Sequence, residues 1–196
     1  MLAVAASPST FEPRALVTTF ALDFSADHFA LFGIERAQGI DTAALESSFR
    51  DIQAQVHPDK HTQGSDANQR LAMQWATRVN EAYQTLKSPL ARARYLLQLQ
   101  GHDAQVESNT SMPMDFLVAQ MELREAVAEA KADADDTVLD GLRSKLVTEI
   151  KSEYQQLHVL IDAQHDYVAA AGLVRQLMFQ EKLLTEIDDA LEAVLA

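Results

Sequence analysis

The sequence predicts an all-α fold of two units, an antiparallel helical pair with short flanking helices followed by an elongated three-helix bundle. Three observations carry this expectation. Apolar residues recur at helical spacing through most of the chain. Nothing between them alternates as a half-buried strand would. Glycine and proline are scarce, 6 and 5 in 196 residues, so each one punctuates the chain where it falls.

The elements follow in order. Residues 1–24 mix small, apolar and proline residues without a sustained period and are expected to form a poorly ordered extension. A short helix over 27–32 ends at Gly33, a residue type that tolerates a left-handed C-terminal cap. Asp41 or Thr42 caps a second helix, whose Leu45, Phe49, Ile52 and Val56 recur at i, i+4, i+7 and i+11 and face a core. Pro58 ends it near His57, because proline lacks a donor N–H and disfavours the α region for the residue before it. The polar stretch 60–68 reads as a loop. Leu71, Trp75, Val79, Ala82 and Leu86 mark a third helix over 69–87. Ser88-Pro89 supplies an N-cap and an N1 proline for a fourth, closed by Gly101. These elements make one unit, 25–101.

A polar linker, 102–112, leads into a second unit, 113–196, with helices expected at 113–132, 137–162 and 167–195. Asp136 and Asp166 are the expected N-caps of the last two. Gly172, inside the final helix, costs about 1 kcal/mol relative to alanine unless a close helix approach offsets it.

Composition removes several function classes. The 47% apolar content is that of an ordinary globular protein. A net charge of -13, from 29 acidic and 16 basic residues, repels a phosphate backbone, so nucleic acid is not an expected partner. With no cysteine, the chain has no disulfide, zinc-thiolate site, cysteine-ligated cluster or cysteine nucleophile. No apolar run approaches the roughly 20 residues that span a bilayer, and residues 1–6 lack the positive start of a secretory signal. The expectation is a cytoplasmic protein without a membrane partner and without a cofactor.

The most informative constellation is His57-Pro58-Asp59-Lys60, in the turn between two antiparallel amphipathic helices. Proline stiffens such a turn, and an aspartate held there can form a charge-assisted, bidentate bond with a partner's arginine. As an enzyme site, His57 and Asp59 would be a base and its orienting carboxylate, but no nucleophile, glycine-rich loop or second acid accompanies them. A metal reading through His57 and His61 fails because Pro58 interrupts the helix that would align the rings. A surface turn with no partner is the bland alternative. Docking is the favoured reading, and a non-enzymatic role follows from it.

Helix geometry marks a second candidate surface. An advance of about 100° per residue from Pro113 places Phe116, Leu123, Val127 and Ala130 on one face, which accounts for a core. Val118, Met121, Glu122, Glu125 and Glu129 fall on the opposite side, with Leu117 on the flank. A solvated acidic face with stray apolar residues is the bland reading; mixed apolar and acidic side chains, with an adaptable methionine, suit a docking patch better. Phe179 lies about 120° from the centre of the last helix's apolar stripe and adjoins this patch if the helices pack antiparallel. Other features are expected to be structural. Asp133, Asp135 and Asp136 lack the glycine and closing glutamate of a calcium loop. Trp75 reads as core, the remaining histidines have no ligand spacing, and Asp188, Asp189 and Glu192 read as a solvated face.

The run DHFALFGI at 27–34, the HPDK turn at 57–60, and VNEAYQTL at 79–86 with Pro89, Arg92, Arg94 and Tyr95 resemble a J-domain. The Leu-Phe-Gly end of the first helix and FLVAQMELRE at 116–125 resemble the HscB subfamily of J-domain co-chaperones, and the likeness covers about residues 26–196. It implies an N-terminal J-domain and a C-terminal three-helix scaffold-binding domain. It implies two partners, a heat-shock-family ATPase chaperone of the HscA type and an iron-sulfur cluster scaffold of the IscU type. Chaperone contacts are implied for Arg50, His57, Pro58, Asp59 and Lys60. Scaffold contacts are implied for Leu117, Val118, Met121, Glu122, Glu125, Glu129 and Phe179. Two departures matter. General J-domains carry several basic residues on the second helix, whereas Arg50 is the only one between Asp41 and Val56, which predicts weak stimulation of general chaperones. Val118 and Ala119 stand where the subfamily has methionine and glutamate. Eukaryotic relatives often carry a cysteine-rich extension, so a bacterial-type protein is expected.

Overall fold

The computed structural model describes residues 23, 25–56, 66–102 and 112–195. The expectations for the rest of the extension, for the 57–60 turn and for most of the linker fall outside them. Seven α-helices are described: α1 His28–Phe32, α2 Thr42–Val56, α3 Asp66–Lys87, α4 Pro89–Leu99, α5 Met114–Ala132, α6 Asp136–His158 and α7 Tyr167–Leu195. A six-residue π-helical turn, Val159–Gln164, joins α6 towards α7.

Side chains with local reasons to do so set the helix ends. Asp27 accepts the N–H of Ala30, and Gly33 closes α1 at φ 66°, where a Cβ would be strained. One carboxylate oxygen of Asp41 accepts the N–H groups of Ala43 and Ala44 at 2.9 and 3.1 Å. Ser88 caps α4 through Ala91, with Pro89 in its first turn. Asp166 accepts the N–H of Ala169 at 3.0 Å and starts α7 as expected.

Three boundaries differ from the sequence expectation. Helix α3 already includes Asp66, so residues 66–68 are helix and not loop; Ala67 and Asn68 are exposed on it. The cap of α6 is Asp135, which accepts the N–H of Val138, and Asp136 is the first helical residue. The helix expected over 137–162 keeps α geometry only to His158, then widens. No close approach requires Gly172, since an added Cβ would meet nothing nearer than Arg175 Nη2 at 3.8 Å. Its helix penalty is therefore not offset by packing.

Packing places α2 along α3, with the Phe49 and Tyr83 rings stacked at 4.0 Å. Bonds from α6 to α7 join Glu153 with Gln180, Tyr154 with Glu181 and Arg143 with Asp188. From residues 153–154 back to 143 on α6 the partners advance from 180–181 to 188 on α7, so these helices are antiparallel. The short turn between α5 and α6 makes that pair antiparallel too, and α5 therefore runs parallel to α7.

The two helical groups share a core. Helix α4 packs on both α3 and α7. It carries Ala93, Leu96 and Leu97 into one continuous apolar cluster that runs from Phe29, Trp75 and Leu86 to Leu139, Leu157, Leu177 and Ile187. Arg92, only 6% exposed, lies in the same helix and donates from Nη1 to the carbonyl of Leu86 at 2.6 Å.

A shared core predicts shared unfolding. Leu97→Ala should cost about 2–5 kcal/mol, the ordinary penalty for emptying a fully buried leucine site. In urea, the fluorescence of Trp75 and the helical dichroism of the whole chain should follow one transition. Separate midpoints for the two signals would show that the groups are cored independently.

Candidate docking surfaces

The first surface is approached by α2 and α3. Their buried residues Leu45, Val56, Ala72 and Val79 clamp the pair together, and α2 is described as far as Val56. His57, Pro58, Asp59 and Lys60 themselves lie outside the described residues. Arg50 is exposed on α2, and its Nη2 lies 3.0 Å from Glu46 Oε1, one helical turn earlier. Such an exposed pair contributes at most about 1 kcal/mol to stability. It does, however, offset the one basic charge this helix offers to a partner.

The second surface is the outward side of α5. Val118 is 46% and Met121 62% exposed. Glu122, Glu125 and Glu129 are also exposed, and Leu117 is half-buried on the flank. On the other side Val127 and Ala130 are buried, and Phe116 and Leu123 are half-buried. The sequence reasoning missed two residues. Gln120 is buried despite its amide, and its Oε1 has no partner. Met114 is 74% exposed and precedes Val118 and Met121 at i, i+4 and i+7, a spacing that had been legible from the start.

Phe179 is 37% exposed on α7. Its place relative to α5 follows from the order of the bundle: successive helices pack antiparallel, and two such steps bring α7 back to the direction of α5. Arg124 Nε lies 3.1 Å from Glu186 Oε2, an offset of 186 − 124 = 62 between the helices. The same offset sets Phe179 level with Leu117. The exposed apolar residues at the start of α5 and Phe179 thus occupy the same end of the bundle.

The rotation of α7 is held from inside. Gln180, adjacent to Phe179, is buried and donates from Nε2 to Glu153 Oε1 at 2.8 Å, while Tyr154 donates to Glu181. Burial raises the Glu153 carboxyl above its ordinary value, against the hydrogen bond from Gln180, which lowers it. Burial also raises the Tyr154 phenol, assisted by its bond to the Glu181 carboxylate. Among the described residues no group of three or more His, Cys, Asp or Glu is placed to hold a metal, and no helix is long and apolar enough to cross a membrane. The outward side of α5 presents exposed apolar and acidic side chains together.

Comparison with known proteins adds the following. Residues 112–188 match the family described as HSCB C-terminal oligomerisation domain. A relative from Aromatoleum aromaticum, named Co-chaperone protein HscB homolog, is 49% identical over 174 residues, covering 89% of this chain and 98% of the relative. Among solved structures, Chaperone HscB from Vibrio cholerae is 35% identical with a TM-score of 0.77, covering 86% of this chain and 99% of that one. Human co-chaperone protein HscB is 26% identical with a TM-score of 0.81, covering 96% and 93%.

The raised Glu153 carboxyl has a consequence for stability. A folded state that holds a carboxyl proton more tightly than the unfolded chain loses stability as pH rises through the unfolded value towards the folded one. Glu153→Gln, which keeps an acceptor for Gln180, should therefore raise the urea midpoint at neutral pH. The gain should vanish on acidification below the ordinary carboxylate range, where Glu153 is protonated in both states. A gain independent of pH would show that the carboxylate is not the source.

Proposed function

The chain belongs to the HscB co-chaperone family, and we propose that it is a non-enzymatic adaptor that brings an iron-sulfur cluster scaffold to a dedicated ATPase chaperone. In this reading the scaffold, of the IscU type, docks on the outward side of α5 and the neighbouring end of α7. The chaperone, of the HscA heat-shock type, docks on the HPDK turn at 57–60 and is stimulated to hydrolyse ATP. The work is done in the cytoplasm. The cluster is cargo on the scaffold; this chain, without cysteine, supplies none of its thiolate ligands.

One observation supports the reading most directly. Met114, Val118 and Met121 form an exposed apolar stripe beside exposed Glu122 and Glu125, and the bundle's own core does not use it. Apolar anchors with an acidic rim fit a partner that presents apolar and basic side chains: burial contributes affinity, while charge sets orientation and arrival rate. The scarcity of basic residues on α2, with Arg50 already paired to Glu46, leaves chaperone recognition to the turn. There Asp59 would meet a partner's arginine, in a direction limited by Pro58. Met114 joins Leu117, Val118, Met121, Glu122, Glu125, Glu129 and Phe179 as a proposed scaffold contact.

Two experiments separate the surfaces. Asp59→Asn or His57→Gln should abolish stimulation of the chaperone's ATPase while scaffold affinity persists and stability changes by less than about 0.5 kcal/mol, as is usual for exposed loop positions. Full stimulation by Asp59→Asn at saturating scaffold would remove the turn from the mechanism. Met121→Ala, Glu125→Ala and Phe179→Ala should each weaken scaffold binding by about tenfold, roughly 1.4 kcal/mol, and together should eliminate it in calorimetric titration, with dichroism as the folding control. A folded triple variant that binds as the parent does would place the scaffold elsewhere, and stimulation that depends on some other client would make this a J-domain co-chaperone for that protein.

A further inference from the structure

The two helical groups meet through apolar packing of α4 on α7 and through one polar contact of a different kind. Asp162, in the π-helical turn, is buried except for 19% of its side chain. Its Oδ1 accepts the N–H of Gln38 at 2.7 Å and its Oδ2 accepts the N–H of Gly39 at 2.8 Å. These partners lie 124 and 123 residues away in sequence, in the bend between α1 and α2. His158 Nδ1 lies 2.7 Å from the same Oδ2. Gln38, itself buried, donates from Nε2 to the carbonyl of Pro89 at the start of α4, 2.9 Å away.

Shape agrees with the hydrogen bonds. A Cβ at residue 39 would lie 2.5 Å from His158 Cε1, so the bend and the half-exposed imidazole sit this close together because residue 39 is glycine; a side chain there would displace the ring. Apolar contacts resist separation but are non-directional; two backbone amides on one carboxylate fix distance and direction together. The turn that carries Asp162 departs from α geometry, as helices frequently do at functional positions.

We propose that Asp162 is a positioning residue, which by holding the Gln38–Gly39 bend fixes the angle between the unit that bears the HPDK turn and the bundle that bears the scaffold surface. The inference rests on the adaptor function proposed above for its consequence: a two-site adaptor raises the effective concentration of one partner at the other only while its geometry lets both engage at once. Asp162 lies outside both proposed docking surfaces. It acts through the frame.

The chain, free of cysteine, allows a direct test. Spin labels at Gln53→Cys on α2 and Ala128→Cys on α5, both exposed positions, report the angle as a distance distribution. The parent should show one narrow distance. Asp162→Asn, which turns an amide N–H₂ against a backbone N–H, should broaden or shift it. Scaffold affinity and scaffold-free ATPase stimulation should stay at parental levels, while the extra stimulation caused by scaffold should require about tenfold more scaffold, within the range of ordinary site-to-site coupling. Gly39→Ala, whose Cβ meets only the half-exposed ring of His158, should shift the distance less than Asp162→Asn does, because both backbone amides still reach the carboxylate. An unchanged distance and an unchanged scaffold response in Asp162→Asn would overturn the inference. A parent that stimulates no chaperone would overturn the adaptor function, and the distance measurement would still decide whether Asp162 sets the angle.

Discussion

The contact of α4 with α7 is the constraint on which the rest of this structure depends. Helix α4 is short, yet it packs against α3 on one side and α7 on the other, and through Ala93, Leu96 and Leu97 it closes a core that neither group completes alone. A unit of about 75 residues buries a smaller fraction of its surface than a larger one does. Sharing a core with the bundle offsets that disadvantage. The same packing carries a penalty, the burial of Arg92, which burial pushes below its ordinary range. The Leu86 carbonyl compensates as acceptor for Nη1, while Nε has no hydrogen-bond partner.

Seen from α5, the bundle has apolar surface in excess of what its own packing needs. Val127 and Ala130 point inward, whereas Met114, Val118 and Met121 point outward, so this helix has two apolar sides and an acidic border in place of one clean stripe. An arrangement of that sort is poor design for an isolated helix in water and good design for one that is covered intermittently by a partner. The internal bonds of Gln180 and Tyr154 have a related role. They pair Gln180 Nε2 with Glu153 and Tyr154 with Glu181 on the inward side, while Phe179 stays turned to solvent at the level of Leu117.

Most of the architecture was legible in the sequence because its signals are local. Gly33, Asp41, Ser88-Pro89 and Asp166 act on backbone groups within a few residues, and apolar periodicity identifies each buried face. The exposure of Val118, Met121 and Phe179 was legible for the same reason. What was hidden depends on distant contacts or on competition between neighbours. Asp135 and Asp136 are equally able caps by residue type, and only the fold selects the first. Gln120 and Gln180 are buried because the helices around them close in, which residue type argues against. The π-helical turn had no local signal, since Asp162 there is bonded to a bend more than 120 residues upstream.

Apolar packing and the Asp162 carboxylate make different contributions at the junction between the two groups. Packing of leucine and alanine side chains supplies most of the free energy, because it scales with the area withdrawn from water, but small displacements along such a surface change that area little. Hydrogen bonds to a carboxylate fall off steeply with distance and angle, so they add little to the total and much to its curvature about one arrangement. The local oddities at this junction are consistent with that division. Gly39 has no side chain where one would collide with His158, Gln38 is buried with its amide on the Pro89 carbonyl, and the end of α6 widens where Asp162 reaches across. Adhesion alone would need none of them, since a smooth apolar face with an ordinary α-helical end would hold the groups together as firmly. Their joint occurrence at one contact is what a requirement for a particular angle would produce.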